Sequence, residues 1–436
     1  MFSAVNAILT FYPGSMSVDS WQQFRQATSG KYDDVHPPMM AWVWSWLLWI
    51  RKGPQPMLFL NVGMFWTGLF LIWSKLIKEK SKVYFLVPLM GLMPVVVAVV
   101  VAMVGVIWKD IALGTSAVLA TGILMNHKPQ RSMLTVGLVI LLFYATAVRH
   151  NALTLTLPLF LVLVLTLQGQ RPKILSRAFS KSLLRSFFVL GGCLVLIFIV
   201  NNWILNTKKS HMYPAFVFIH DLSFIGQRYD LELVPEAFRT GNYSKERVAK
   251  ALLDKRASDS FIYPKDAPFK IINDTDEISK LIGIWAKNGF LHFPSYLELR
   301  TQLFKSINCI GFGQCRACHF YMPKEFGNGI SDFTSWRKYL EKTFTRMAAT
   351  TVIFSGWFYL LIACVGLVIT GFLRGQWLVL TSALFVSSVF YNLSFYSTTV
   401  SCDFRYLWPP IMLTTIGTIL LLDDSTKRIK KLVKKR

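Results

Sequence analysis

Long apolar runs recur along the chain, and they constrain the fold more than any other feature. They cover residues 57–76, 83–108, 111–125, 133–148, 152–167, 187–205, 348–370, 377–396 and 407–422. About 20 apolar residues span a bilayer core as a helix. The expected class is therefore an all-α polytopic membrane protein with about nine or ten crossings. The mean hydropathy of +0.43 and the 53% hydrophobic content over 436 residues agree with that. The opening run 1–11 is too short to cross alone, so it is the exit half of a helix or the true start lies upstream. Residues 39–50 are rich in tryptophan (Trp42, Trp44, Trp46, Trp49) but only about a dozen long, which suits a helix lying at head-group depth.

The net charge of +24 resembles a nucleic-acid signal, but the cations fall in short loops beside the apolar runs. Basic residues there fix topology and meet anionic head groups. Three such clusters stand out: Lys75 to Lys82, Arg171 to Arg185, and the tail from Lys427. Placing all three in the cytoplasm leaves an even number of crossings between each. The remaining polar stretches then share the exterior side: loop 12–56, the turns at Lys109-Asp110 and Arg149-His150, a lobe over 206–347, and the loop carrying Asp403 to Tyr406. The expected layout is an N-terminal transmembrane module over 1–205, the exterior lobe over 206–347, and a C-terminal module with a basic tail over 348–436. The aromatic run 213–224 within the lobe suits a segment resting on the membrane surface.

The exterior side holds the candidate chemistry. Asp19 follows the Tyr12-Pro13-Gly14 turn. It suits proton transfer, and it equally suits a helix cap for the segment after it. Asp33 and Asp34 form an adjacent carboxylate pair, which can raise one member's pKa. His36 precedes Pro37-Pro38, which fix an extended entry into the aromatic helix; it either positions a charged group or is structural. Lys109, Arg149 and Arg405 lie near head-group depth. They fit a phosphate, arginine in bidentate fashion, or they snorkel. His150, Asp110, Asp403 and Tyr406 flank them. Cys309, Cys315, Cys318 and Cys402 share this side, where disulfides are favoured. Cys315-Arg-Ala-Cys318-His319 also matches a haem-attachment pattern, with disulfides preferred.

Tyr12-Pro13-Gly14, Asp19-Ser20-Trp21-Gln22-Gln23 and Asp34-Val35-His36-Pro37-Pro38 resemble the first exterior loop of bacterial GT-C membrane glycosyltransferases. That superfamily includes protein mannosyltransferases and O-antigen glucosyltransferases. Trp108-Lys109-Asp110, Arg149-His150-Asn151, the pattern Trp285…Tyr296…Arg300, and Asp403-Phe404-Arg405-Tyr406 are similar to later landmarks of some branches. The resemblance implies a GT-C-like bundle and transfer of a sugar from a polyprenyl-phosphate carrier to an exterior glycan, lipid or protein. It also implies a bacterial plasma membrane with the active site facing the periplasm. Asp19 would act on the acceptor hydroxyl with Asp34 as second acid and His36 beside them. Lys109, Arg149, His150 and Arg405 would hold the donor phosphate, with Asp33, Asp110, Asp403 and Tyr406 in support. No protein metal site is expected, although some relatives use a divalent cation. A transporter or flippase of lipid-linked sugars, and a glycan polymerase or ligase, are the rival readings. A transporter would put its polar groups near the bilayer midplane.

Overall fold

The computed structural model describes residues 2–92, 102–127, 132–169, 176–210, 212–253, 257–262, 265–311, 335–373, 375–399 and 401–433. It is helical, and among the described residues the only β-type pairings are three isolated bridges. The helices are α1 (Phe2–Phe11), α2 (Val18–Ser29), α3 (Met39–Leu47), α4 (Gln55–Lys78), α5 (Leu86–Leu92), α6 (Lys109–Asn126), α7 (Ser132–Ala147), α8 (Leu153–Leu167) and α9 (Arg177–Ile199). Then follow α10 (Met212–Tyr229), α11 (Lys245–Leu253), α12 (Ala257–Ile262), α13 (Thr275–Leu291), α14 (Phe293–Ile307), α15 (Ser335–Thr350), α16 (Gly356–Phe372), α17 (Leu378–Thr398) and α18 (Trp408–Val433).

Among the described residues, four helical stretches are long and apolar enough to cross a membrane: Gln55–Lys78, Arg177–Ile204, Leu378–Thr398 and Phe404–Lys430. Three shorter apolar helices, Met133–Ala147, Leu153–Leu167 and Gly356–Phe372, run with them. The expected single run over 83–108 is broken. Helix α5 ends at Leu92, residues 93–101 lie outside the described set, and Val104 to Trp108 form a turn rather than helix. At the other end of the chain, helix continues past the apolar run to Val433.

Small residues let the central helices approach. A Cβ at Gly68 of α4 would lie 2.8 Å from the Leu119 backbone of α6, and one at Gly122 would lie 2.7 Å from the Gly68 carbonyl. A Cβ at Gly114 would strike the ring of Trp408, which is fully buried where α6 meets α18. Helix α18 is the innermost of the four long stretches and α9 the most peripheral, with 72% and 22% of their apolar windows buried. The outer faces of α9 therefore present Phe187, Phe188, Val195 and Phe198 outward, as lipid-facing helices do.

The two ends of this bundle differ in chemistry. At one end Asp424 accepts from the backbone N–H groups of Gln376 and Trp377, both at 3.0 Å, capping α17. Asp423 accepts from the Trp377 indole at 2.9 Å and pairs with Lys427 at 2.7 Å. Glu79, past the end of α4, reaches Gln376. The basic clusters after α4 and in α18 thus share one end.

The lobe has its own core, built from Ala215, Ile219, Leu222, Phe238, Val248, Phe261, Phe269, Ile278 and Leu281. Helix α10 is its spine, so most of residues 215–223 of the aromatic run are buried in the lobe rather than laid on a membrane surface. Ile307, Leu340 and Phe344 pack instead into the large core of the bundle. Cys309 is disulfide-bonded. Cys315 and Cys318, with the Cys-x-x-Cys-His stretch, lie outside the described residues. The Cys402 thiol meets the Ser306 carbonyl at 3.2 Å.

A candidate active site at the end of the bundle

Two turns build the floor of the site. Gly14 takes φ +126°, a backbone that a side chain resists, and Ser15 pairs with Val106 across a bridge. The Ile107 N–H donates to the Ser15 carbonyl at 2.8 Å. Gly105 is needed here because a Cβ would enter the Phe11 ring. Helix α2 then starts at Ser17. The Trp108 indole donates to Ser17 Oγ at 2.8 Å, and Ser20 Oγ donates to the Ile107 carbonyl at 2.5 Å. This stitching sets Asp19, in the first turn of α2, beside Lys109, the first residue of α6. The cap position belongs to Ser17, which leaves the Asp19 carboxylate available for other partners.

Asp19 Oδ2 receives Arg405 Nη2 at 2.7 Å, and Asp19 Oδ1 lies 3.8 Å from His36 Nε2. His36 Nδ1 in turn lies 2.6 Å from Lys109 Nζ. When Lys109 is charged it only donates, and Nδ1 is then the acceptor with the ring proton on Nε2, toward Asp19. Burial foremost, and then the Lys109 charge, push His36 down to about 3, with Asp19 pulling the other way. The imidazole is neutral at physiological pH. Burial alone would raise the Asp19 carboxyl, but the Arg405 charge foremost, with Lys109, reverses that and holds it below the ordinary carboxylate range.

Arg405 is gripped at both ends. Its Nε lies 2.8 Å from Asp403 Oδ2, and its guanidinium stacks over Trp108 at 4.8 Å and Tyr406 at 5.2 Å. Asp403 also accepts from the Arg405 N–H at 3.1 Å, which caps the 3-10 turn Phe404–Leu407. Arg149 sits deeper, 9% exposed, and pairs with the fully buried Asp110. Its Nε donates to Asn151 Oδ1 at 2.9 Å, and the Tyr406 ring covers it at 4.5 Å. Asn151 donates onward to Ser394 of α17 at 2.9 Å. Tyr406 is therefore shared between the two arginines.

Asp33 and Asp34 are used differently. Asp33 Oδ1 accepts from the Val35 N–H at 3.2 Å, an Asx turn. Asp34 Oδ1 accepts from the Ser210 N–H, and its own N–H donates to the Lys208 carbonyl at 3.2 Å. This pair fastens loop 31–36 to the segment entering the lobe, and among the described residues neither carboxylate forms an ion pair with His36 or the cations of the site. His150 is exposed and hydrogen-bonds the Asp34 backbone.

A second buried charge cluster supports the first. Asp221 and Arg300, both fully buried, form an ion pair. Trp285 donates to Asp221 at 2.8 Å, and Arg300 donates to the Thr399 carbonyl at 2.9 Å. Thr399 opens the loop that carries Asp403 and Arg405. Asp221 is a lone carboxylate inside an apolar helical run, and a buried charge demands a partner; that is the signal in the sequence for it. Among the described residues, no three His, Cys, Asp or Glu side chains gather to hold a metal ion. No protein-family model, curated protein or solved structure matches the chain.

Proposed function

We propose that the chain is an integral membrane glycosyltransferase of the GT-C type, moving a sugar from a polyprenyl-phosphate carrier to a glycan, lipid or protein acceptor with inversion. The supporting observation is the single centre in which Asp19 meets Arg405 and His36, with Lys109 one contact further. All of these residues lie at helix ends or in turns on one end of the bundle. A transporter would place them within the spans, so the geometry favours transfer at a membrane surface. On this reading the bundle sits in a bacterial plasma membrane with the site facing the periplasm.

In the proposed reaction the acceptor hydroxyl oxygen attacks the anomeric carbon. The bond from that carbon to the phosphate oxygen breaks, and polyprenyl phosphate leaves with the electron pair. Phosphate leaves readily, so no strong general acid is needed. Asp19, with its low proton affinity, orients the hydroxyl and takes the proton only as the new C–O bond forms and the oxygen acidifies. Lys109 and Arg405 meet the phosphate charge. Purified protein in lipid nanodiscs, supplied with candidate polyprenyl-phosphate sugars and acceptors, should release free polyprenyl phosphate. The Asp19→Asn variant should lose at least about a hundredfold in rate while still folding, as a cooperative melting transition checks. Turnover at the wild-type rate in that variant would remove the basis of the proposal.

A further inference from the structure

The two arginines of the site are held in unlike ways, and the difference points to which one yields to a substrate. Arg149 is locked: its carboxylate partner Asp110 has no exposure, its Nε is taken by Asn151, and an aromatic ring covers it. Arg405 is hinged. Its Nε is fixed by Asp403 and its plane is set by Trp108 and Tyr406, but its Nη face meets Asp19, whose side chain is 26% exposed. Lys109 has no carboxylate within 4.0 Å among the described residues and points its ammonium into a neutral imidazole. An anion arriving at the open side of Asp19 therefore finds one cation lacking a carboxylate and one arginine edge that can change partners without moving its rear hold.

We infer that a phosphate group exchanges with Asp19 for the Nη edge of Arg405, so that phosphate binding and release of the Asp19 carboxylate are one event. Asp403 holds the guanidinium through the exchange, and Lys109 meets the second phosphate oxygen. The carboxylate then faces the acceptor with one fewer cation on it and accepts a hydroxyl hydrogen bond that it cannot accept fully beforehand. Binding is thereby ordered, phosphate carrier first and acceptor second. The inference rests on the transferase reading for its substrate, but the exchange itself is measurable without any sugar transfer.

The test uses the full chain in nanodiscs and a short polyprenyl phosphate, with inorganic phosphate in parallel, titrated calorimetrically. Asp19→Asn removes the competing carboxylate and should tighten binding about tenfold. Arg405→Gln should weaken it. In the Arg405→Gln background, Asp19→Asn should have little effect, because nothing is left to exchange. A general gain in positive charge would instead tighten binding equally with and without Arg405, and that result overturns the exchange. No binding of either probe to wild type or to Asp19→Asn overturns it as well. Should Arg405→Gln not fold, Arg405→Lys keeps the charge, loses the two-edged grip and serves in the same cycle. Tighter binding of the lipid than of inorganic phosphate supports a membrane-borne source, and equal affinity overturns that part. A cycle that couples as expected in a protein that transfers no sugar would retire the transferase reading and leave the exchange standing.

Discussion

At the residue scale, His36 and Asp221 make opposite uses of burial. His36 is kept neutral, titrating near 3 against about 6.5 in an unfolded chain. Between those values the unfolded state binds more protons, so stability rises with pH. The contribution is fully present above about pH 6.5 and is lost as the solution is acidified, at no more than about 1.4 kcal/mol per pH unit. Melting in detergent at pH 7.5 and pH 5 should show the loss, and His36→Gln should reduce the difference between the two. Asp221 is instead buried against Arg300, with which it forms an ion pair, and accepts from the Trp285 indole. Removing one side of a buried ion pair strands the other, at about 3–5 kcal/mol. Asp221→Asn should lower the melting temperature accordingly, and replacing Asp221 and Arg300 together by apolar residues should recover part of it. Asp19, Lys109, Arg149 and Arg405 could be singled out from the sequence because charges beside apolar runs are conspicuous. Their pairing could not, since Asp19 and Arg405 meet across almost the whole chain and only packing decides which carboxylate faces which cation. Asp34 illustrates the limit: beside Asp33 it reads as an acid pair, yet its oxygen is taken by a backbone amide of residue 210.

At the element scale, the α4–α6 crossing depends on absent side chains. Gly68 and Gly122 let the two backbones touch, as small residues do where membrane helices associate. Gly68→Val should force them apart, lowering stability by about 1–3 kcal/mol. Gly63, on the same helix with nothing within 4 Å of its Cβ position, should accept alanine without loss. Thermal unfolding of both variants checks the contrast. These helices were legible as apolar runs, but their ends were not. The run over 83–108 reads as continuous because Val104 to Trp108 are themselves apolar; the turn there comes from the close approach of Phe11 to Gly105 and the bridge from Ser15, which are tertiary facts.

At the scale of the whole molecule, the basic clusters and the charges of the candidate site separate to opposite ends of one bundle. Along the chain, basic loops and polar turns alternate, which is the feature of the sequence that corresponds to this division. What parity cannot supply is the attachment of the lobe. Residues 31–36 and 207–210 share backbone hydrogen bonds, and Arg300 grips the carbonyl of Thr399, so the lobe holds the acidic loop on one side and the arginine loop on the other. Those two loops carry Asp19's nearest partners. The lobe is thus a handle on the chemistry: an antibody fragment clamped to its far side, touching none of the reacting groups, should slow turnover by tilting one jaw against the other. A fragment of that kind that leaves the rate unchanged would mean the handle turns freely.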